Sequence, residues 1–109
     1  MNNFVDYVVN DLLADLDGVS SRAMFGGYGL YKNGIIFGMI VDDTLYFKVG
    51  EDNVGDYKAQ GSKPFTYQAK NGKKVAMSYY EVPADIVEQP QQIKEWVSKA
   101  ITASKKSKK

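Results

Sequence analysis

The sequence predicts an α+β domain of two layers, in which helices cover one face of an antiparallel sheet. Apolar residues recur three and four positions apart near both ends of the chain, as they do in amphipathic helices. Between these ends, alternating apolar runs are separated by residue pairs that favour tight hairpin turns. The 109 residues have room for one domain with one core. We therefore predict the element order helix, three strands, short helix, two strands, helix, written α-β(3)-α-β(2)-α.

The first helix is predicted from an apolar stripe formed by Phe4, Val5, Val8, Val9, Leu12, Leu13 and Leu16. Asn2 or Asn3 can cap its first turn, because a short polar side chain accepts a hydrogen bond from an unpaired helical amide. Gly18 is expected to end this segment in a left-handed conformation. The stripe needs a partner layer, and the following strands supply one.

The three strands that follow are predicted to form a meander around two-residue turns at Asn33-Gly34 and Asp42-Asp43. These turns place Gly29 opposite Gly38 and Ile40 opposite Leu45. Side chains alternate across a strand, so one face carries Gly27, Gly29, Tyr31, Ile36, Gly38, Ile40, Leu45, Phe47 and Val49. We assign this glycine-rich face to the core under the helices. A slip of one residue would exchange the two faces.

The second half predicts a short helix, a hairpin and a long helix. Asp52 or Asn53 can cap a helix that runs through Tyr57. Asn71-Gly72 marks the turn between the apolar runs 65–69 and 75–80. Pro83 and Pro90 each suit the first position of a helix. The last helix is indicated by Ile93, Trp96, Val97, Ala100 and Ile101.

The positive charge of this chain is concentrated at its end. Four of the last five residues are lysines, and residues 1–104 together carry a net charge of −3. We expect one folded domain over residues 1–104 and a disordered, lysine-rich tail over residues 105–109. The chain has no cysteine and no stretch of about 20 apolar residues, which is typical of a cytoplasmic protein without a membrane span.

The composition argues against an enzyme. The chain contains neither histidine nor cysteine, the residues most often used in acid–base and thiol chemistry. Its carboxylates lie in turns and loops, with no spacing that singles out a catalytic pair. Gly27 and Gly29 lack the third glycine of a dinucleotide-binding loop. We expect no catalytic residue, no cofactor and no metal, although a small enzyme that uses carboxylate, lysine or tyrosine stays open.

The second face of the predicted meander is more apolar than a water-facing sheet surface. Such a face favours contact with a protein partner or with a second copy of the chain. The candidate interaction residues are Arg22, Tyr28, Leu30, Phe37, Met39, Tyr46 and Tyr79. Weak nucleic-acid binding through the lysine tail and exposed aromatic rings is the alternative. The net negative body makes protein contact the preferred interpretation.

In residues 22–31, 34–38, 45–48, 64–67 and 77–83, together with Trp96 and Ala100, the chain resembles the N-terminal domain of the TfoX/Sxy family. Members of this family regulate natural competence in bacteria. The resemblance implies an α-β(3)-α-β(2)-α domain similar to secretion chaperones. It also implies a role in transcription regulation through protein contact, and it brings no catalytic set. The longer members carry a second, helical domain, and the matching segments correspond to the first.

Overall fold

The computed structural model describes residues 3–24 and 26–107. Six strands form one antiparallel sheet in the order β1-β2-β3-β4-β6-β5. The elements are α1 (Asn3–Tyr7), a π-helical segment (Val8–Leu12), β1 (Val19–Met24), β2 (Gly27–Lys32), β3 (Ile35–Val41), β4 (Thr44–Lys48), α2 (Val54–Ala59), β5 (Pro64–Gln68), β6 (Lys74–Glu81), α3 (Ala84–Val87) and α4 (Pro90–Ser107). The predicted α+β class with an antiparallel sheet is confirmed.

The described residues hold six strands rather than the five that the sequence predicted. The additional strand is β1, which pairs with β2 along its whole length from Val19 to Met24. Residues 20–24 of β1 are all exposed, so this edge strand has no alternation of apolar and polar residues. A strand held mainly by backbone pairing leaves no periodic signal in the sequence.

The turns follow the sequence signals closely. Asn33, Gly34, Asp42 and Asp43 all have positive φ angles, between 51° and 83°. These are the left-handed conformations that a two-residue hairpin turn requires of both central residues. Gly72 is also left-handed, and it closes the turn between β5 and β6. Gly18, predicted to be left-handed, has a φ of 77°.

A β-bulge in the β2–β3 pair changes the predicted register. Tyr31 pairs with Ile36 as predicted, but Leu30 pairs with Gly38, so Phe37 is an extra residue in β3. Beyond the bulge Gly29 lies opposite Met39 rather than Gly38. Directly opposed residues point to the same face. The extra residue therefore places each side chain of β2 on the face opposite to the predicted one.

The predicted facing is therefore wrong for β2 and the first half of β3. Leu30 and Phe37, predicted to face a partner, are fully buried in the core, and Tyr28 packs against that core. Gly27, Gly29, Tyr31 and Ile36, predicted to be under the helices, lie on the opposite face. Gly29 pairs with Met39 of that face, Gly27 and Tyr31 alternate with Leu30 along β2, and Ile36 pairs with Tyr31. The cause in each case is the extra residue, Phe37.

The prediction holds for the second half of β3 and for β4, where no bulge intervenes. Ile40, Leu45, Phe47 and Val49 are buried in one cluster with residues of every helix. The cluster is completed mainly by Val5, Val8, Leu13, Tyr57, Ile86, Ile93, Trp96, Val97 and Ala100. The helices therefore cover one face of the sheet, as the amphipathic stripes predicted.

The C-terminal helix extends further than predicted. Residues 105–107, expected in a disordered tail, form the last turn of α4. Ala103 is buried at this end, and the Lys106 ammonium pairs with the Asp52 carboxylate. Cations also suit the negative end of a helix. The remaining tail residues 108 and 109 lie outside the described residues, as do Phe25 and the proposed cap Asn2.

The loop before α2 is held by a side chain that the sequence predicted as a helix cap. Asn53 is buried, and its Oδ1 accepts a hydrogen bond from the Gly50 amide at 2.7 Å. Its Nδ2 donates to the Lys48 carbonyl at 3.1 Å. The side chain makes no hydrogen bond to the first turn of α2. Asn53 therefore ties the end of β4 to the loop.

Tyr57 is a buried residue whose hydroxyl has no hydrogen-bond partner among the described residues. Its ring packs against Trp96 with centroids 4.5 Å apart. We expect Tyr57→Phe to raise the free energy of unfolding by about 1 kcal/mol, because the unpaired hydroxyl is removed and the ring is kept. Urea unfolding at pH 7 measures this. A loss of stability would show that the hydroxyl has a partner.

The same residue predicts an alkaline limit to stability. Burial, with a smaller contribution from Asp56, raises the pKa of Tyr57 far above its usual value of 10.0. Above about pH 10 only the unfolded state ionises at this position, so the stability falls as the pH rises. Above this pH, the free energy of unfolding should fall less steeply for Tyr57→Phe than for the unchanged chain, by up to about 1.4 kcal/mol per pH unit.

Candidate functional site

The face of the sheet turned away from the helices, here called the outer face, carries an aromatic and cationic cluster. Residues paired across neighbouring strands lie on the same face. The outer face therefore contains Arg22 and Gly29, which pair between β1 and β2, and Lys48 and Tyr79, which pair between β4 and β6. By the same rule it takes Tyr31, Met39 and Tyr46. No helix of the described residues covers it.

The two cations of the outer face lie over tyrosine rings. The Arg22 guanidinium carbon is 5.5 Å from the centre of the Tyr31 ring. The Lys48 ammonium is 5.2 Å from the centre of the Tyr79 ring. A cation over an aromatic face is stabilised by the ring quadrupole, by about 0.5–1 kcal/mol where water reaches the pair. These contacts order the centre of the face.

Gly29 has a packing role on this face. A Cβ built at Gly29 would lie 2.9 Å from the Met24 sulfur and 3.0 Å from Cε1 of Tyr31. The lack of a side chain at Gly29 lets the Tyr31 ring approach the backbone closely. The approach occurs on the outer face rather than under a helix.

Burial raises the pKa of two tyrosines of the outer face, Tyr79 and Tyr46. Burial, and to a lesser extent the neighbouring Tyr31, raises the pKa of Tyr79. Burial raises the pKa of Tyr46 as well, with smaller contributions from Glu81 and Asp42. The Tyr46 ring meets the Phe65 ring edge-on at 5.2 Å. Both tyrosines are therefore neutral packing groups at physiological pH.

A two-stranded ribbon extends the outer face beyond the sheet. β4 pairs with β6 only from Tyr79 to Glu81, whereas β6 continues its pairing with β5 as far as Lys74. The ribbon comprises residues 66–77. Its three large apolar side chains, Tyr67, Val75 and Met77, are exposed by 47%, 36% and 37%. Tyr67 alternates with Phe65, whose ring meets the Tyr46 ring of the outer face. Tyr67 pairs with Val75, with which Met77 alternates, so the three lie on the side of the outer face.

The predicted interaction residues divide into two groups. Arg22, Met39, Tyr46 and Tyr79 lie together on the outer face, although Met39 and Tyr79 are largely covered by their neighbours. Leu30 and Phe37 belong to the core, and the half-buried Tyr28 packs against it. The sequence reasoning missed Tyr31, because it ignored the bulge. It also missed Tyr67, Val75 and Met77, whose alternation along the hairpin was the available signal.

A cleft lies where the C-terminal half of α4 meets the sheet. Lys48, Ser78, Thr102 and Lys105 are among the residues that line it. Two other lining lysines are engaged with carboxylates: Lys99 with Asp56 at 2.9 Å, and Lys106 with Asp52. The pairing lowers the pKa of Asp52 and raises that of Lys106, chiefly through their hydrogen bond. Glu51 and Asp52 also line the cleft, so its four lysines outnumber its two carboxylates.

Histidine, cysteine, aspartate and glutamate form no group of three or more that could bind a metal ion in residues 3–24 and 26–107. Within the same ranges, every helix is too short or too polar to cross a membrane.

Comparison with known proteins gives two matches. The family model of the TfoX N-terminal domain matches residues 11–104, which include all six strands. A segment of 76 residues is 29% identical to Protein Sxy of Escherichia coli strain K12. That segment is 70% of this chain and 36% of Sxy, so the match spans about a third of that relative.

Proposed function

The chain belongs to the family of TfoX N-terminal domains, and we propose that it works as a protein-interaction domain whose contact surface is the outer face. In this proposal the domain binds a partner and catalyses no reaction. The proposed setting is transcription regulation in the cytoplasm, as in the competence regulators that the sequence resembles. The proposed partner is a protein of the transcription machinery.

The distribution of exposed apolar side chains supports this proposal. Among the described residues, the large apolar side chains with high exposure are Tyr7, Met24, Tyr67, Val75 and Met77. All except Tyr7 lie on the outer face or on the ribbon that continues it. Apolar groups gathered on one face, rather than scattered singly, are typical of a protein contact site.

The order within the outer face also suits a binding surface. Tyr31, Tyr46 and Tyr79 are fixed by ring and cation contacts before any partner arrives. Binding to preordered aromatic groups loses little conformational entropy. Tyrosine, methionine and arginine are enriched in the cores of protein interfaces, and this face presents all three.

The test is site-specific photo-crosslinking in the source cells. A photoreactive benzoylphenylalanine replaces Met77 on the ribbon in one variant and Glu95, which is exposed on α4, in the control variant. We expect a discrete crosslinked species from position 77 and none from position 95. Mass spectrometry then identifies the crosslinked protein.

Two outcomes contradict parts of the proposal. No crosslink from position 77, or equal crosslinking from both positions, contradicts the assignment of the outer face as the contact surface. A crosslink from position 77 to a second copy of the chain, or to a protein outside transcription, contradicts the assigned partner and keeps the surface.

A further inference from the structure

The ribbon and the residues beside it form a basic part of the chain. Residues 61–80 contain Lys63, Lys70, Lys73 and Lys74, and all thirteen acidic residues lie outside this range. The ion pairs found in the described residues involve Lys94, Lys99 and Lys106, and none involves the ribbon. The ribbon lysines therefore carry charge that no carboxylate of the described residues neutralises through an ion pair.

The shape of the ribbon presents this charge to a large partner. Residues 71–78 are all exposed, so solvent reaches both sides of the strand β6 along its outer part. Residues 74–77 alone extend about 13 Å beyond the last pair with β4, at ~3.3 Å per residue. Lys70, Lys73 and Lys74 cluster around the tip.

The basic cleft continues the ribbon toward α4. Ser78 lies at the base of the ribbon and also lines the cleft, where Lys48 and Lys105 are further cations. Hydroxyl groups of Ser98 and Thr102 line the same cleft. Lysine and hydroxyl side chains are the groups that contact phosphate oxygens in protein–DNA complexes. Lysines therefore lie both on the ribbon and in the adjoining cleft.

We propose that this basic edge, formed by the ribbon and the adjoining cleft, binds the phosphate backbone of double-stranded DNA. A two-stranded β-ribbon fits the major groove of B-form DNA, which is about 12 Å wide. The ribbon enters the groove with Lys70, Lys73 and Lys74 at the flanking phosphates. The alternative predicted from the sequence used the terminal lysines; the hairpin adds Lys70, Lys73 and Lys74, and Lys105 of the terminal run lines the adjoining cleft.

The inference does not depend on the proposed protein contact. DNA also differs from an acidic protein as a ligand, because its charges are regularly spaced along a groove. The ribbon lysines are spread around a narrow, projecting tip, which suits a groove bordered by regular charges. The large apolar side chains of the ribbon lie on the side of the outer face and stay available to a protein.

The experiment measures binding of the full chain to a fluorescent 20-base-pair DNA duplex by anisotropy, at salt concentrations from 50 to 200 mM. Three phosphate contacts predict a slope of log affinity against log salt of about −2.7, which is about a 40-fold loss over this range. The variant K70Q/K73Q/K74Q should bind at least about tenfold more weakly at 100 mM salt, and the magnitude of its slope should fall by up to about 2.7.

The matched control is K32Q/K58Q/K94Q, which removes the same charge from residues outside the ribbon and the cleft. Its affinity should change by less than about threefold, because distant surface charges are screened. Circular dichroism of both variants checks that the fold is kept. An RNA duplex of the same sequence should bind more weakly, because its major groove is too narrow for the ribbon.

Several results would overturn the proposal. One is no DNA binding by the unchanged chain at 50 mM salt, and another is an equal loss in the ribbon and control variants. Equal affinity for the RNA duplex would contradict entry into the major groove. Salt-sensitive binding to polyglutamate without binding to DNA would assign the basic edge to an acidic protein instead.

Discussion

Replacing Phe37 by alanine is expected to lower the free energy of unfolding by about 4 kcal/mol. Phe37 is fully buried, and its ring meets the Phe47 ring edge-on with centroids 5.7 Å apart. Its removal leaves a cavity in the centre of the core, between the sheet and the helices. A loss of this size approaches the total stability of a domain of this length. Urea unfolding followed by fluorescence measures it.

The matched variant is Tyr31→Ala, for which we expect a loss of only about 1 kcal/mol. Tyr31 is half-buried on the outer face, where its main contacts are Arg22 and the backbone at Gly29. Without the bulge, Tyr31 would face the core and Phe37 would face solvent. A larger loss for Tyr31→Ala than for Phe37→Ala would therefore contradict the bulge and the facing of β2.

Replacing Gly38 by alanine is expected to cost about 3 kcal/mol. A Cβ at this position would lie 2.6 Å from the Tyr46 carbonyl oxygen and 2.9 Å from Cδ1 of Phe47. The first of these atoms belongs to the backbone of β4, which is fixed by its own pairing on both sides. The added methyl group therefore forces the two strands apart.

The control for this substitution is Gly55→Ala. Gly55 lies in α2, and a Cβ there would have no heavy atom within 4 Å. Alanine should raise the free energy of unfolding by about 0.5–1 kcal/mol, since glycine is the poorer helix former. Equal effects of Gly38→Ala and Gly55→Ala in chemical denaturation would show that the close approach at Gly38 is absent.

The fold class could be predicted from the sequence because its signals are local. Asn33-Gly34 and Asp42-Asp43 determine their own turns, and the apolar stripes determine which side of each helix is buried. β1 escaped prediction because it is held mainly by backbone pairing and its residues 20–24 are exposed. The end of α4 escaped because it is stabilised by a distant residue, Asp52, that pairs with Lys106.

The outer face could be predicted only in part, and one residue explains why. Register counted from the two turns assumes equal numbers of residues on paired strands. Phe37 breaks this equality, so the predicted facing is reversed for all of β2 and for β3 up to the bulge. The unfavourable burial that the predicted register implies could have indicated the bulge. In that register Leu30 and Phe37 would be exposed to solvent, while Gly27 and Gly29 would occupy the core. Met39, Tyr46 and Lys48 lie beyond that point on β3 and β4, where the count holds.

Because the chain has no cysteine, a single introduced cysteine reports the accessibility of one chosen position on the outer face. The measurement compares the rate of maleimide modification of Met77→Cys and Glu95→Cys in the purified protein and in extract of the source cells. We predict that the thiol at position 77 reacts readily when the protein is alone and is protected in the extract, while the thiol at position 95 reacts at the same rate in both. Protection at position 95 alone, or no protection at position 77, would contradict the assignment of the outer face as the contact surface.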